Sequence, residues 1–161
     1  MAQGSWVGLD VHARSVLAGV IEEATGELRV QPVGPECDSI VEWLCGLPAP
    51  VRVAYEAGPT GYTLARACQA AQIDCLVAAP SRIARAPGDR VKTDRRDTER
   101  LVRLLRMGEL TAVRVPDEQE EAARDLVRAR EEARGDLMRA RHRLSKRLFR
   151  SECGGAVASR T

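Results

Sequence analysis

Apolar and polar residues alternate from Ser5 to His12. Val7, Leu9 and Val11 fall on one face, and Gly8, Asp10 and His12 on the other. Residues 15–21 form a second apolar run, Thr25-Gly26 signals a turn, and Leu28 to Val33 can pair back. The pattern predicts three antiparallel strands in a meander. Residues 38–46 switch to helical spacing through Ile40, Val41, Leu44 and Cys45, with Asp38 or Ser39 as the expected N-cap.

The period changes again after that helix. Residues 51–57 read as a strand, residues 58–61 as a Gly/Pro turn, residues 62–72 as a helix and residues 75–79 as a continuous apolar strand. Strand, helix and strand in that order predict a right-handed βαβ unit with parallel strands. The sheet is therefore expected to be mixed and covered by helices. A basic loop spans residues 80–88, and a helix is predicted from Thr93 to about Met107, with Gly108 ending it. Residues 113–116 form an extended connector.

From Asp117 to Arg150 the chain predicts one long helix, with Gly135 its weak point. Ala122, Leu126, Ala129, Ala133, Leu137, Ala140, Leu144 and Leu148 make a narrow stripe of coiled-coil type. The expected organisation is a domain over residues 1–116, a basic coiled-coil-like helix over 117–150 and a flexible tail over 151–161. No internal repeat is read.

Charge sharpens this division. Residues 1–80 hold 4 Lys/Arg against 9 Asp/Glu, a net of −5; residues 81–161 hold 21 against 14, a net of +7. Residues 124–150 alone carry ten basic and four acidic side chains. An Arg-rich half points to a polyanionic partner. The five cysteines are odd in number and lack CxxC spacing, so they read as reduced structural thiols. No apolar run reaches the ~20 residues of a membrane span, and the N-terminus lacks a signal-peptide pattern. The expectation is a soluble, intracellular protein with no membrane partner.

Four acids stand out. Asp10 lies in mid-strand, where a carboxylate is costly unless it is paired or metal-bound. Glu56 ends a later strand, the place where ligands bind in open α/β sheets. Asp94 and Asp97 share a helix face that continues into Leu101 and Leu104, so both are expected to point at the sheet, with Arg95 and Arg96 pointing away. Each acid alone has an ordinary structural explanation, Asp97 as an ion-pair partner of Arg90 or Arg100 among them. Four clustered carboxylates repel one another, and a divalent cation removes that repulsion. Oxygen ligands favour Mg²⁺ or Mn²⁺, and two such ions cut phosphodiesters. His12 shares the face of Asp10; His142 lies in the basic helix and is expected in solvent. The turn at residues 58–61 offers either amides for a phosphate or a simple tight turn.

The segments Val7-Gly-Leu-Asp-Val-His12, Tyr55-Glu-Ala-Gly-Pro-Thr-Gly-Tyr62 and Lys92-Thr-Asp-Arg-Arg-Asp97, followed by Leu101, resemble the DEDD-type insertion-sequence transposases. The resemblance runs in order over roughly residues 5–116. It implies an α/β fold of the ribonuclease H/RuvC-like type: a mixed sheet with flanking helices, followed by the long coiled-coil-like helix. It implies that Asp10, Glu56, Asp94 and Asp97 form the catalytic, Mg²⁺- or Mn²⁺-binding tetrad. It also implies DNA as partner, a structured guide RNA (the element's bridge RNA), and a second domain carrying a serine nucleophile. Ser145, Ser151 and Ser159 match no such context, so this chain is expected to be inactive alone.

The function expected is that of a transposase/recombinase catalytic domain performing metal-dependent phosphodiester cleavage and strand exchange. The alternative is a non-catalytic nucleic-acid-binding and dimerisation module derived from such a transposase. A third reading, an actin-like or sugar-kinase-like ATPase, rests on Gly8-Leu-Asp10 and lacks the second phosphate loop that architecture needs. Arg82, Arg85, Arg90, Lys92, Arg95 and Arg96 are the expected nucleic-acid contacts. The stripe on the 117–150 helix predicts a homodimer or higher oligomer. The expected location is the bacterial cytoplasm, in association with the nucleoid.

Overall fold

In the computed structural model, which describes residues 4–83 and 93–158, the sheet is assembled around its first strand. Strand β1 (Ser5–His12) pairs antiparallel with β2 (Ser15–Glu22), which pairs antiparallel with β3 (Leu28–Val33). On its other edge β1 pairs parallel with β4 (Val51–Glu56), and β4 pairs parallel with β5 (Asp74–Ala78). The strand order is β3-β2-β1-β4-β5. Meander and parallel unit thus share one mixed sheet. Its register is set by alternation, since a one-residue slip would move every apolar side chain to the wrong face.

One face buries Val7, Leu9, Val16, Ala18, Val20, Val53, Tyr55 and Val77. It is covered by α1 (Cys37–Cys45), through Ile40 and Leu44, and α2 (Thr63–Ala70), through Leu64, Ala65 and Cys68. Helix α1 begins one residue before the expected cap: Glu36 occupies the N-cap position and makes no side-chain cap bond. Neither Asp38 nor Ser39 has that role, because the helix already includes them. Cys37, Cys45, Cys68 and Cys75 are free thiols.

The opposite face receives α3 (Asp94–Met107). Thr93 caps it, its hydroxyl accepting from the Arg96 amide, and Gly108 ends it in the left-handed conformation that a residue without Cβ adopts freely. Leu101 and Leu105 pack on Ala54 and Ala78. Between them the helix rests on glycine. Gly8 and Gly19 are register partners on β1 and β2. A Cβ on Gly8 would lie 2.7 Å from the Val102 backbone nitrogen, and one on Gly19 would lie 3.0 Å from Thr98 Cγ2. Thr98 is fully buried there, and its hydroxyl donates to the Asp94 carbonyl oxygen at 2.7 Å. The glycine pair lets the backbone of α3 lie almost against the sheet.

After Gly108 the chain runs antiparallel beside β5, with Ala79 N donating to Thr111 O at 3.0 Å and Val113 N to Val77 O at 2.7 Å. The chain divides into two compact units, Met1–Val115 and Pro116–Thr161. The second is α4 (Glu118–Ala158), unbroken at Gly135. It does not stop at Arg150. Its backbone stays helical to Ala158 across the segment expected to be a flexible tail. No proline interrupts it, and Gly154-Gly155 costs only about 1 kcal/mol per residue.

Gly8→Ala should lower the unfolding free energy by about 1–3 kcal/mol, the usual penalty of overpacking against an immovable backbone. Chemical denaturation of this variant beside Gly26→Ala tests it. Gly26 has a positive φ of 67° but open space around it, so its loss would report turn strain alone. Equal, small effects at both positions would contradict the close seating of α3.

Candidate metal centre

The carboxyl end of β1 and the amino end of α3 meet because of that seating. Asp10 leaves β1 on the α3 side, and α3 presents Asp94 and Asp97 in its first turns. His12 Nε2 lies 3.3 Å from Asp10 Oδ2 and 4.0 Å from Asp94 Oδ1. Asp10, His12 and Asp94 each offer a donor atom, all within 4.8 Å of one another. The imidazole therefore belongs to the group that sequence reasoning assigned to carboxylates. The signal was its position on the Asp10 face.

The other acids are placed differently. Asp97 is only 14% exposed and ion-paired with Arg100, its neighbour one turn along. Glu56 is exposed at the end of β4. Leu9 and Tyr55 are register partners, and Asp10 and Glu56 are the next residues on their parallel strands. Glu56 thus stands at the level of Asp10 on the neighbouring strand. Asp94 corrects the expectation that it faces the sheet. Its side chain is 64% exposed, because it is the first residue of α3 and no preceding turn of the helix covers it. At that position the helix dipole favours its charge.

Asp10 is 22% exposed, yet its Oδ2 is buried and accepts no hydrogen bond; the same holds for Asp97 Oδ2. His12 Nε2 approaches that Asp10 oxygen at 3.3 Å and favours its ionised form. Burial pushes the Asp10 carboxyl above its ordinary pKa of 3.8. The charges of Asp94 and Asp97 push it the same way, and His12 opposes them. A buried carboxylate oxygen without a donor is the environment a cation satisfies. The carboxylates suit Mg²⁺ or Mn²⁺, while the imidazole suits softer divalent ions better. The donor set of Asp10, His12 and Asp94 therefore fits a divalent metal.

Arg82, Arg95 and Arg96 are exposed. Arg95 is held on the surface of α3 by Glu99 at 3.1 Å. Arg85, Arg90 and Lys92 lie outside the described residues. In the turn after Glu56, Gly61 N donates to Gly58 O at 3.2 Å, so that amide closes a tight turn and is not offered to a phosphate. His142 is exposed on α4. Sequence reasoning missed Gly8, Gly19 and Thr98 as the residues that position the group. A glycine in mid-strand, where it weakens the strand unless something packs close, was the available signal.

A family model described as a transposase, the DEDD type of the IS110 class, matches residues 7–150. A putative transposase of Sinorhizobium fredii, y4qE, is 65% identical over 80 residues, which is 50% of this chain and 20% of that protein. The transposase for insertion sequence element IS1533 of Leptospira borgpetersenii is 34% identical over 157 residues, 94% of this chain and 45% of that protein. The chain spans less than half the length of these curated relatives.

Asp10→Asn should raise thermal stability at pH 7 in metal-free buffer. The sign follows from the raised folded pKa. The fold holds the Asp10 proton more tightly than the unfolded chain does, so wild-type stability falls as pH rises through that range. The advantage of the variant should be full above the folded pKa and vanish below 3.8. Melting curves across pH 3 to 8 with a chelator check this. A variant less stable than wild type at pH 7 would show that Asp10 is a satisfied structural acid.

Proposed function

The chain belongs to the DEDD transposase family of insertion sequences, IS110 class, and from that premise we propose that the domain over residues 1–116 carries the metal-binding part of a DNA transposase/recombinase site. The observation that carries this reading is the cluster of donor atoms on Asp10, His12 and Asp94, all within 4.8 Å of one another, with buried carboxylate oxygens on Asp10 and Asp97. Asp10, Glu56, Asp94 and Asp97 are the proposed catalytic and metal-binding residues. Mg²⁺ or Mn²⁺ held there supplies positive charge to a phosphodiester undergoing cleavage. Asp10 and Asp97 anchor that charge from the rigid sheet and the helix seated on it, whereas Asp94 and Glu56 sit at the exposed rim, where substrate phosphates approach. Arg82, Arg95 and Arg96, with Arg85, Arg90 and Lys92 of the neighbouring segment, are proposed to bind the nucleic-acid backbone.

The partners proposed are DNA, a structured guide RNA and a second copy of the chain through the 117–150 helix, with activity in the bacterial cytoplasm at the nucleoid. Among the described residues no helix is long and apolar enough to cross a membrane. Strand exchange by the whole protein is proposed to need a serine-bearing domain in addition to this chain.

One observation favours the alternative of a non-catalytic binding and dimerisation module. Arg100 already neutralises Asp97, which lowers the need for a cation. Mn²⁺ titration followed by thermal shift separates the two readings. Stabilisation of wild type that disappears in Asp10→Asn plus Asp97→Asn supports the metal site; no response in either protein supports the module. Binding to structured RNA or duplex DNA should weaken steeply as salt rises, through loss of Arg–phosphate contacts. Affinity that stays flat from low to moderate salt would favour a protein partner.

A further inference from the structure

Helix α4 contains an eleven-residue repeat that its irregular stripe had hidden. Asp125-Leu-Val-Arg-Ala-Arg130 recurs as Asp136-Leu-Met-Arg-Ala-Arg141 and, more loosely, as Arg147-Leu-Phe-Arg150. Eleven residues make three helical turns at 3.67 residues per turn, so every repeat position returns to the same face. The stripe then has a steady spacing: Leu126, Ala129 and Ala133; Leu137, Ala140 and Leu144; then Leu148. All of it is exposed in this chain, as Leu126, Leu137, Leu144 and Leu148 show most clearly.

The charges beside the stripe are ordered too. At this pitch Arg130 and Arg141 lie about 65° to one side of its midline, and Asp125 and Asp136 about 65° to the other. One flank is therefore basic and the other acidic over these two repeats. Flanking positions of this kind set partner choice and orientation in coiled coils. In a parallel pair, the basic flank of one helix meets the acidic flank of the other. In an antiparallel pair, like flanks meet, setting Arg against Arg and Asp against Asp.

Within one chain, Asp125 reaches Arg128 at 3.6 Å and Asp136 reaches Arg139 at 2.5 Å. Both are exposed pairs three residues apart, a class that contributes little. They leave room for the same carboxylates to meet an arginine across a seam. The alanines of the stripe permit close approach of two backbones.

Resting on the reading that α4 self-associates, we propose that its occupant is a second copy of this chain in parallel, in-register alignment, with Asp125 opposite the Arg130 position and Asp136 opposite the Arg141 position of the other copy. The eleven-residue period makes the pair nearly straight or right-handed, unlike a heptad coil. Parallel alignment also brings the two Arg-rich carboxyl-terminal halves of α4 to the same end of the pair.

The test uses the full chain with Leu126→Cys or Leu148→Cys, oxidised under air and mapped by mass spectrometry so that native thiols are told apart. These positions are about 33 Å apart along a helix, and a disulfide needs Cα atoms within about 7 Å. Each variant alone should give a dimer linked between identical positions. Links that form only between the two variants when mixed, 126 to 148, would establish an antiparallel pair and overturn the orientation while leaving self-association intact. Light scattering that finds the wild type monomeric at high micromolar concentration would overturn both. As a second arm that disturbs no packed residue, Arg130→Asp plus Arg141→Asp should weaken the dimer by about tenfold or more. Mixing that variant with Asp125→Arg plus Asp136→Arg should restore association. Unchanged affinity in the reversed variant would refute the charge register.

Discussion

The close contact between α3 and the Gly8–Gly19 pair governs the rest of the first unit. Helices normally stand off a sheet by the thickness of two side-chain layers. Here one layer is missing at the crossing point, and Val102 and Thr98 approach backbone. That approach lowers the amino end of α3 onto the end of β1, which is what gives Asp10 two further carboxylates as neighbours. It also explains why Thr98 tolerates full burial: its methyl fills the space over Gly19 and its hydroxyl is satisfied within the helix.

The same contact makes the fold hold charges that would be better separated. Burial and neighbouring negative charge both disfavour ionised Asp10, and His12 offsets them only partly. Arg100 plays the corresponding part for Asp97 from within the helix. Such local conflict is expected where a site trades stability for binding capacity. The surroundings are able to sustain it, since the opposite face of the sheet is a continuous apolar core built on β1, β2, β4 and β5 with two covering helices.

The second unit follows a different physical logic. Helix α4 leaves its single apolar stripe exposed, whereas helices in proteins draw most of their stability from packing such a face. Its leucines are exposed and its arginines dense, and the eleven-residue repeat keeps the apolar stripe apart from the arginines over two repeats.

Much of this was legible from residue order alone. Alternation gave the strands and their faces, the turn at Thr25-Gly26 gave the meander, and the strand-helix-strand sequence gave the parallel pair. These are local signals, fixed by the two-residue period of a strand and the 3.6-residue period of a helix. The spacing of Asp94 and Asp97 with Leu101 correctly put α3 on the sheet. It misjudged how far Asp94 is covered, since periodicity says which side a residue takes but not how much lies over it at a helix end. The Asp97–Arg100 pair lies within one helix and was one of the expected alternatives, whereas the inclusion of His12 and the exposure of Glu56 were decided by tertiary structure, because each depends on how far α3 slides along β1. That distance is set by glycines whose meaning appears only when another backbone lies against them.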